Sequence, residues 1–392
     1  MAQRITHRTL LGFRPITQKD GNERVNIKAE KLIERATTEK ESLIADLKSV
    51  GYWRGTRSKE DMKFSAVVGN PPYQIMDGGA GVSAKPVYNS FVEVAKDLQP
   101  LNISMIMPAK WYTDGKGLEA FRSAMLNDKR LSKLVDFTDS RDCFENVDIA
   151  GGICYFLWNK DYNGQCNFVS KHQGETKSSM RDLAATDDFI RHIEAVSIID
   201  KVKNYSNVGY YSERVSTRKP FGLSTNDTAL DFGDITLIFN GGKGPYKSSL
   251  ISKGKDMIPL WKVTISRLTA EHAGQADKEG RKRVLSSLNY LKPNEICTET
   301  YLVVDAFKTE KETLALMSYL KTRFVRFLIA QLASTQQMTK EKFAFVPLQD
   351  FTPQSDIDWT QSVADIDKQL YKKYGLTTEE QQFIESMIKP ME

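Results

Sequence analysis

The sequence predicts an α/β fold in its first half, followed by a mixed α+β region, and three observations lead there. Short β-forming runs, Ala66-Val67-Val68, Ile103-Ser104-Met105-Ile106-Met107 and Leu134-Val135-Asp136-Phe137, alternate with helical stretches between Lys63 and Val169. Ala66-Val67-Val68 is a continuous apolar run bounded by turn residues, the pattern of a strand covered on both faces. From about Lys171 the composition turns polar, and short strands mix with longer helices.

With 392 residues and 40% apolar content, the chain can bury a sizeable core and make two domains with appendages. It carries 55 basic and 50 acidic residues, a net charge of +5. That excess is mild, so local clustering of charge says more about a nucleic-acid partner than the total does. Cys143, Cys154, Cys166 and Cys297 show no C-x-x-C pairing and read as reduced core cysteines. His7, His172, His192 and His272 are scattered, so no metal site is expected. No apolar stretch approaches a membrane span, and Met1-Ala2-Gln3-Arg4 opens no signal-peptide core. The expectation is a cytoplasmic protein with no membrane partner.

In chain order, residues 1–60 form an N-terminal helical segment. Leu32, Ile33, Ala36, Leu43, Ile44 and Leu47 give an apolar stripe, and Gly51 marks the stop. Residues 61–170 carry the strand–helix alternation. The run ending at Gly69 turns directly into Asn70-Pro71-Pro72-Tyr73. Two prolines cannot continue a ladder, since neither has an N–H and both fix φ. Asn70, preceding a proline, is pushed to extended backbone. A stiff loop therefore stands at the carboxyl end of a strand, where open α/β sheets place their chemistry. Asp77-Gly78-Gly79-Ala80-Gly81-Val82-Ser83 is too glycine-rich for regular structure and reads as a flap. Lys85-Pro86-Val87-Tyr88 opens the next helix, with Phe91, Val92, Val94, Ala95 and Leu98 on its buried face. Gly117 to Leu126 form another.

Asn70-Pro71-Pro72-Tyr73 resembles the catalytic loop of amino-methyltransferases, above all the adenine-N6 DNA methyltransferases of bacterial restriction–modification systems (gamma-like and type IIG-like). The resemblance implies a partial Rossmann-like methyltransferase sheet with residues 61–170 as its target-base half. It also implies S-adenosylmethionine as methyl donor and double-stranded DNA as partner. An exocyclic amine on a purine is a poor nucleophile. The Asn70 side-chain oxygen and the Pro71 carbonyl would hold its two hydrogens, which is positioning and electrostatics without a covalent intermediate. Tyr73 would stack on the extruded base. A second match is Cys143-Phe144-Glu145-Asn146-Val147-Asp148-Ile149 ahead of the apolar run from Ile153. By position in the family's motif, Phe144 would cover the other face of the adenine; a lone Phe otherwise plugs a core. Asn70, Pro71, Pro72 and Tyr73 are the expected catalytic residues. Phe144, Lys85, Lys110, Arg218 and Lys219 are the expected substrate contacts.

The family's glycine-rich cofactor turn, Asp-Pro-x-x-Gly-x-Gly, is missing from residues 1–60. The downstream candidate Asn240-Gly241-Gly242-Lys243-Gly244-Pro245 fails, because Pro245 would break the helix that should follow. Residues that bind the cofactor are therefore unassigned, and a second chain supplying that site stays open. Residues 171–345 interleave basic and aromatic side chains, as in Tyr210-Tyr211-Ser212-Glu213-Arg214 and Arg218-Lys219-Pro220-Phe221, and Glu279-Gly280-Arg281-Lys282-Arg283 is the densest basic spot. The region resembles a DNA target-recognition domain. Glu310 to Leu332 read as one helix. Residues 346–392 form a C-terminal helical tail in which Thr377 and Glu380 make a capping box. The leading expectation is a site-specific DNA adenine-N6 methyltransferase. The alternatives are a truncated or split DNA-binding subunit, which needs a partner for the cofactor, and a methyltransferase acting on RNA or a protein glutamine. No carboxylate–lysine cluster of a nuclease is evident.

Overall fold

The apolar runs of the first half assemble into one six-stranded sheet in the computed structural model. It describes residues 31–54, 57, 60–75, 85–112, 117–144, 149, 151–172, 174–185, 189–205, 208–270, 277, 280–333 and 337–391. The flap expected at Asp77–Ser83 and the first part of the N-terminal helix lie outside these residues. The chain divides into two units, Met1–Phe189 and Ile190–Glu392.

In the first unit the strands are β1 (Ala66–Gly69), β2 (Gln74–Ile75), β3 (Lys85–Pro86), β4 (Asn102–Pro108), β5 (Leu131–Phe137), β6 (Ile153–Asn159), β7 (Cys166–His172) and β8 (Glu175–Arg181). The large sheet runs β1-β4-β6-β5-β7-β8, while β2 and β3 make a separate small ladder. β1 is parallel to β4 and β5 to β7, whereas β6 lies antiparallel between β4 and β5. The sheet is thus mixed, built on α/β alternation as the sequence predicts.

Register puts Val67 beside Ile103 and Ile103 beside Trp158, one row of a fully buried face. Helices α1 (Lys40–Lys48), α2 (Tyr88–Asp97) and α3 (Glu119–Leu126) turn buried side chains inward: Leu43 and Leu47, then Phe91, Val92 and Val94, then Phe121 and Met125. Leu32, Leu43 and Leu47 line a narrow apolar cleft with Val67, Phe91 and Leu98, so the N-terminal helices sit over β1 and α2.

The opposite face corrects one expectation. Among the described strands β1 lies at the edge, and Val68 is 56% exposed, with Leu157 at 39% in the same row through Ser104. An apolar run identifies a strand but not what covers it; alternation sends Val67 into the core and Val68 out. Lys85-Pro86 also differs from expectation, forming strand β3 against Gln74-Ile75, with the helix starting at Tyr88. The Val87 amide donates to the Tyr73 carbonyl at 3.1 Å, which ties the loop after β1 to the start of α2.

The sheet continues past residue 170 through the β7–β8 hairpin, because Cys166 and Phe168 point into the buried face. The division accordingly falls at Phe189, beyond the boundary expected from composition.

The second unit holds strands β9 (Ile235–Phe239), β10 (Gly242–Tyr246), β11 (Trp261–Ser266), β12 (Leu288–Leu291), β13 (Glu295–Cys297) and β14 (Tyr301–Phe307). They form two three-stranded sheets, β10-β9-β13 and β12-β11-β14. Its longer helices are α4 (Ile193–Tyr205), α5 (Glu310–Lys321), α6 (Arg323–Leu332), α7 (Val363–Lys373) and α8 (Thr378–Met387). The single helix expected over 310–332 is two. Thr322 takes extended ψ, its side chain caps Val325, and Asp367 accepts from the Arg323 and Phe324 amides at 2.9 Å each. Ile366, Leu370, Tyr371 and Ile384 of the last two helices share one core with Val263, Leu316 and Phe327. The C-terminal segment is therefore part of this unit's core. The Thr377–Glu380 capping box forms as the sequence predicts.

Candidate active site

β1 delivers the loop. Pro71 is buried, Pro72 and Tyr73 are half-buried, and Asn70 is exposed. A proline sealed into the protein beside an exposed asparagine is a brace with a presented amide. The Tyr73 hydroxyl is buried and meets no well-formed hydrogen-bond partner among the described residues. Burial pushes its pKa up to about 12, while the nearby Asn70 side chain pulls the other way without a well-formed bond. The thiols of Cys154 and Cys143 also bear on that hydroxyl, so Tyr73 points toward the start of β6 and the segment carrying Phe144.

Lys110 lies in a short 3-10 turn, Ala109–Tyr112, directly after β4. Its two successors pin it: Trp111 Nε1 donates to Cys154 Sγ at 3.3 Å, and the Tyr112 hydroxyl donates to buried Asp136. The Ala109 amide donates to the Gly152 carbonyl at 3.0 Å. Gly151, at φ +89°, leaves room for the Lys110 stem; a Cβ there would come within 2.8 Å of Lys110 Cγ.

Phe144 follows β5. Its amide donates to Ser140 O at 2.8 Å, and its half-buried ring packs against the cluster of Val135, Phe137, Ile153 and Val169. Part of that ring therefore does fill a core. Lys85 is exposed on β3. β1, β4 and β5 run the same way, so the residues following their carboxyl ends, Asn70–Tyr73, Lys110 and Phe144, gather at one end of the sheet. Arg218 and Lys219 belong to the second unit. Arg218 Nε donates to Glu299, and Lys219 adopts φ +61°.

The family match falls on the segment that carries this loop. Residues 1–144 match the family described as Eco57I restriction-modification methylase. The resemblance read from the Asn-Pro-Pro-Tyr loop is borne out. The chain is also 36% identical over 132 residues to an uncharacterized adenine-specific methylase of Mycoplasma pneumoniae (strain ATCC 29342 / M129 / Subtype 1), covering 33% of this chain and 31% of that protein. The chain thus spans about a third of the length of that curated relative. Among solved structures, the type IIG restriction endonuclease BpuSI aligns at TM-score 0.33 and 13% identity, over 83% of this chain and 54% of its own. The type IIL restriction-modification enzyme MmeI, solved in complex with DNA, aligns at TM-score 0.43 and 8% identity, over 82% and 57%.

The described residues do not fit a bound S-adenosylmethionine. None of them forms a glycine-rich turn between strand and helix; Asn240–Tyr246 is instead the tip and second strand of the β9–β10 hairpin. Among the described residues no cluster of His, Cys, Asp and Glu suits a metal, and no helix is long and apolar enough to cross a membrane.

The sequence did not flag the supports of this site. Trp111, Tyr112 and Asp136 read as ordinary strand and turn residues, and Glu299 gave no signal at all. The Gly151-Gly152 pair before a strand was the one available hint of a close approach.

Proposed function

We propose that this chain is the target-base half, with an attached DNA-recognition unit, of a DNA adenine-N6 methyltransferase from a restriction–modification system. One observation carries the reading: an exposed Asn70 follows β1 directly and is braced by a buried Pro71. In this reading the Asn70 side-chain oxygen and the Pro71 carbonyl accept the two hydrogens of the adenine amine and orient its lone pair away from the loop. Tyr73 and the free part of the Phe144 ring take the two faces of the extruded base, with stacking worth about 1–3 kcal/mol for each contact. Lys85 and Lys110 contact the strand beside the flipped nucleotide. Arg218 and Lys219 contact duplex DNA from the second unit.

The methyl donor this reading implies is S-adenosylmethionine, and no residue of the chain is assigned to hold it. A second reading, a split subunit that takes its donor site from a partner chain, is favoured by β1 standing at the edge of the sheet among the described residues. Methylation of RNA or of a protein glutamine uses the same kind of loop and is the third reading.

Transfer of labelled methyl groups from S-adenosylmethionine to duplex DNA, structured RNA or protein decides among the three. Incorporation into N6 of DNA adenine is the expected result, and incorporation only into RNA or protein overturns the DNA reading. Asn70→Ala is expected to lower the methylation rate by about a thousandfold, in the range lost with an oxyanion-type contact, while leaving DNA affinity nearly unchanged. An undiminished rate removes Asn70 from the mechanism. Calorimetry of the chain with S-adenosylmethionine separates a self-sufficient enzyme from a split one.

A further inference from the structure

The second unit contains a carboxylate that the proposed chemistry does not use. Glu299 is 4% exposed, covered by its immediate neighbours although it lies close to the molecular surface. One of its oxygens accepts from Arg218 Nε and the other from the Thr225 amide at 3.3 Å. Arg218 itself is 63% exposed. A guanidinium carries its N–H donors in a rigid planar fork, so holding Nε fixes the direction of the two terminal nitrogens. No protein acceptor among the described residues meets those nitrogens.

The backbone around the pair is equally fixed. The Ser216 amide donates to Val303 O at 2.8 Å, and the Val303 amide donates to Ser216 Oγ at 3.0 Å. The Glu299 amide donates to Leu223 O at 3.1 Å. Between these ties the chain reverses through Lys219 (φ +61°) and Gly222 (φ +83°), with Phe221 buried beneath. Gly222 suits the turn because its φ of +83° strains any L side chain.

A surface arginine normally wanders; this one is clamped at its base and open at its tip. We propose that Glu299 is a positioning residue that aims the terminal nitrogens of Arg218 at a paired acceptor on nucleic acid. Resting on the DNA reading above, this assigns the contact its chemistry. The acceptor is a pair of oxygens on a phosphate, or O6 and N7 of a guanine in the major groove.

The test is fluorescence anisotropy of the full chain on labelled duplexes of mixed sequence, and on duplexes selected from a random pool by the wild-type protein. Glu299→Gln removes a negative charge, so general electrostatics demands tighter binding. Positioning demands binding weaker by about tenfold on at least one of the duplex sets. In an Arg218→Ala background the loss caused by Glu299→Gln is expected to vanish, leaving at most the electrostatic gain, because the positioning acts only through Arg218. Arg218→Lys keeps the charge without the fork and is expected to bind as poorly as Arg218→Ala. Equal or tighter binding by Glu299→Gln overturns the proposal, as does a loss that persists without Arg218. Should Glu299→Gln fail to fold, wild-type affinity in Arg218→Lys overturns it. A wild-type chain that binds no duplex overturns the DNA reading itself. A loss shared by all duplexes, with the salt dependence shallower by about one ion, assigns a phosphate. A loss confined to selected duplexes assigns a base edge.

Discussion

Tyr73 holds its hydroxyl inside the protein without a well-formed partner among the described residues, beside a loop otherwise braced by proline. An unsatisfied buried hydroxyl costs about 1–3 kcal/mol, so its removal should not harm the fold. Tyr73→Phe is expected to leave thermal stability unchanged or raise it by up to about 1 kcal/mol. A clear fall in melting temperature would mean that the hydroxyl has a partner after all. The same substitution keeps the ring, so base stacking should survive. At this scale the sequence was legible where covalent geometry dictates the outcome. Asn70, Pro71 and Pro72 behave as residues that cannot join a ladder must. It was illegible where a partner arrives from far along the chain, as Glu299 does for Arg218 across 81 positions.

Among the elements, the junction of α5 and α6 shows how a side chain can cut a helix that propensity would run straight through. Asp367 supplies both oxygens to the first amides of α6 from a nearly buried position. Burial raises its pKa from 3.8 to about 6, against the pull of those amides and of Arg326 and Arg323. The folded state therefore holds the Asp367 proton more tightly than the unfolded chain does. The linked stability is complete below about pH 4 and is lost as pH rises through about 6, a change of about 3 kcal/mol. Urea midpoints measured across that window should fall with pH for the wild type and show a flatter profile for Asp367→Asn. Identical profiles would place the titration elsewhere. Periodicity showed that 310–332 is helical but could not show the break, because the residue that makes it lies 45 positions beyond Thr322. The same limit applies to β1, whose apolar run revealed a strand without revealing an edge.

For the molecule as a whole, composition located a change of character near residue 171, while packing puts the division at Phe189. Hairpin β7–β8 is polar along β8 yet completes the first sheet through buried residues of β7. Average composition cannot separate such a hairpin from a linker. Among the described residues the apolar clusters of the second unit are built from its own side chains, such as Val263, Leu316, Phe327 and Ile366, and Leu237, Ile296 and Val303. Residues 190–392 expressed alone are expected to melt cooperatively, as a unit with its own core should. A broad, non-cooperative transition would show that they need the first 189.

Among the described residues no strand pairs with the outer side of β1, and its run Ala66–Gly69 carries an uncharged Val68 with no proline or lysine. Such a margin is adhesive: it accepts any extended backbone that reaches it, a neighbouring copy included. Concentrated preparations should therefore scatter light increasingly with time, and Val68→Lys should keep them clear. If that substitution changes nothing, the stickiness lies elsewhere.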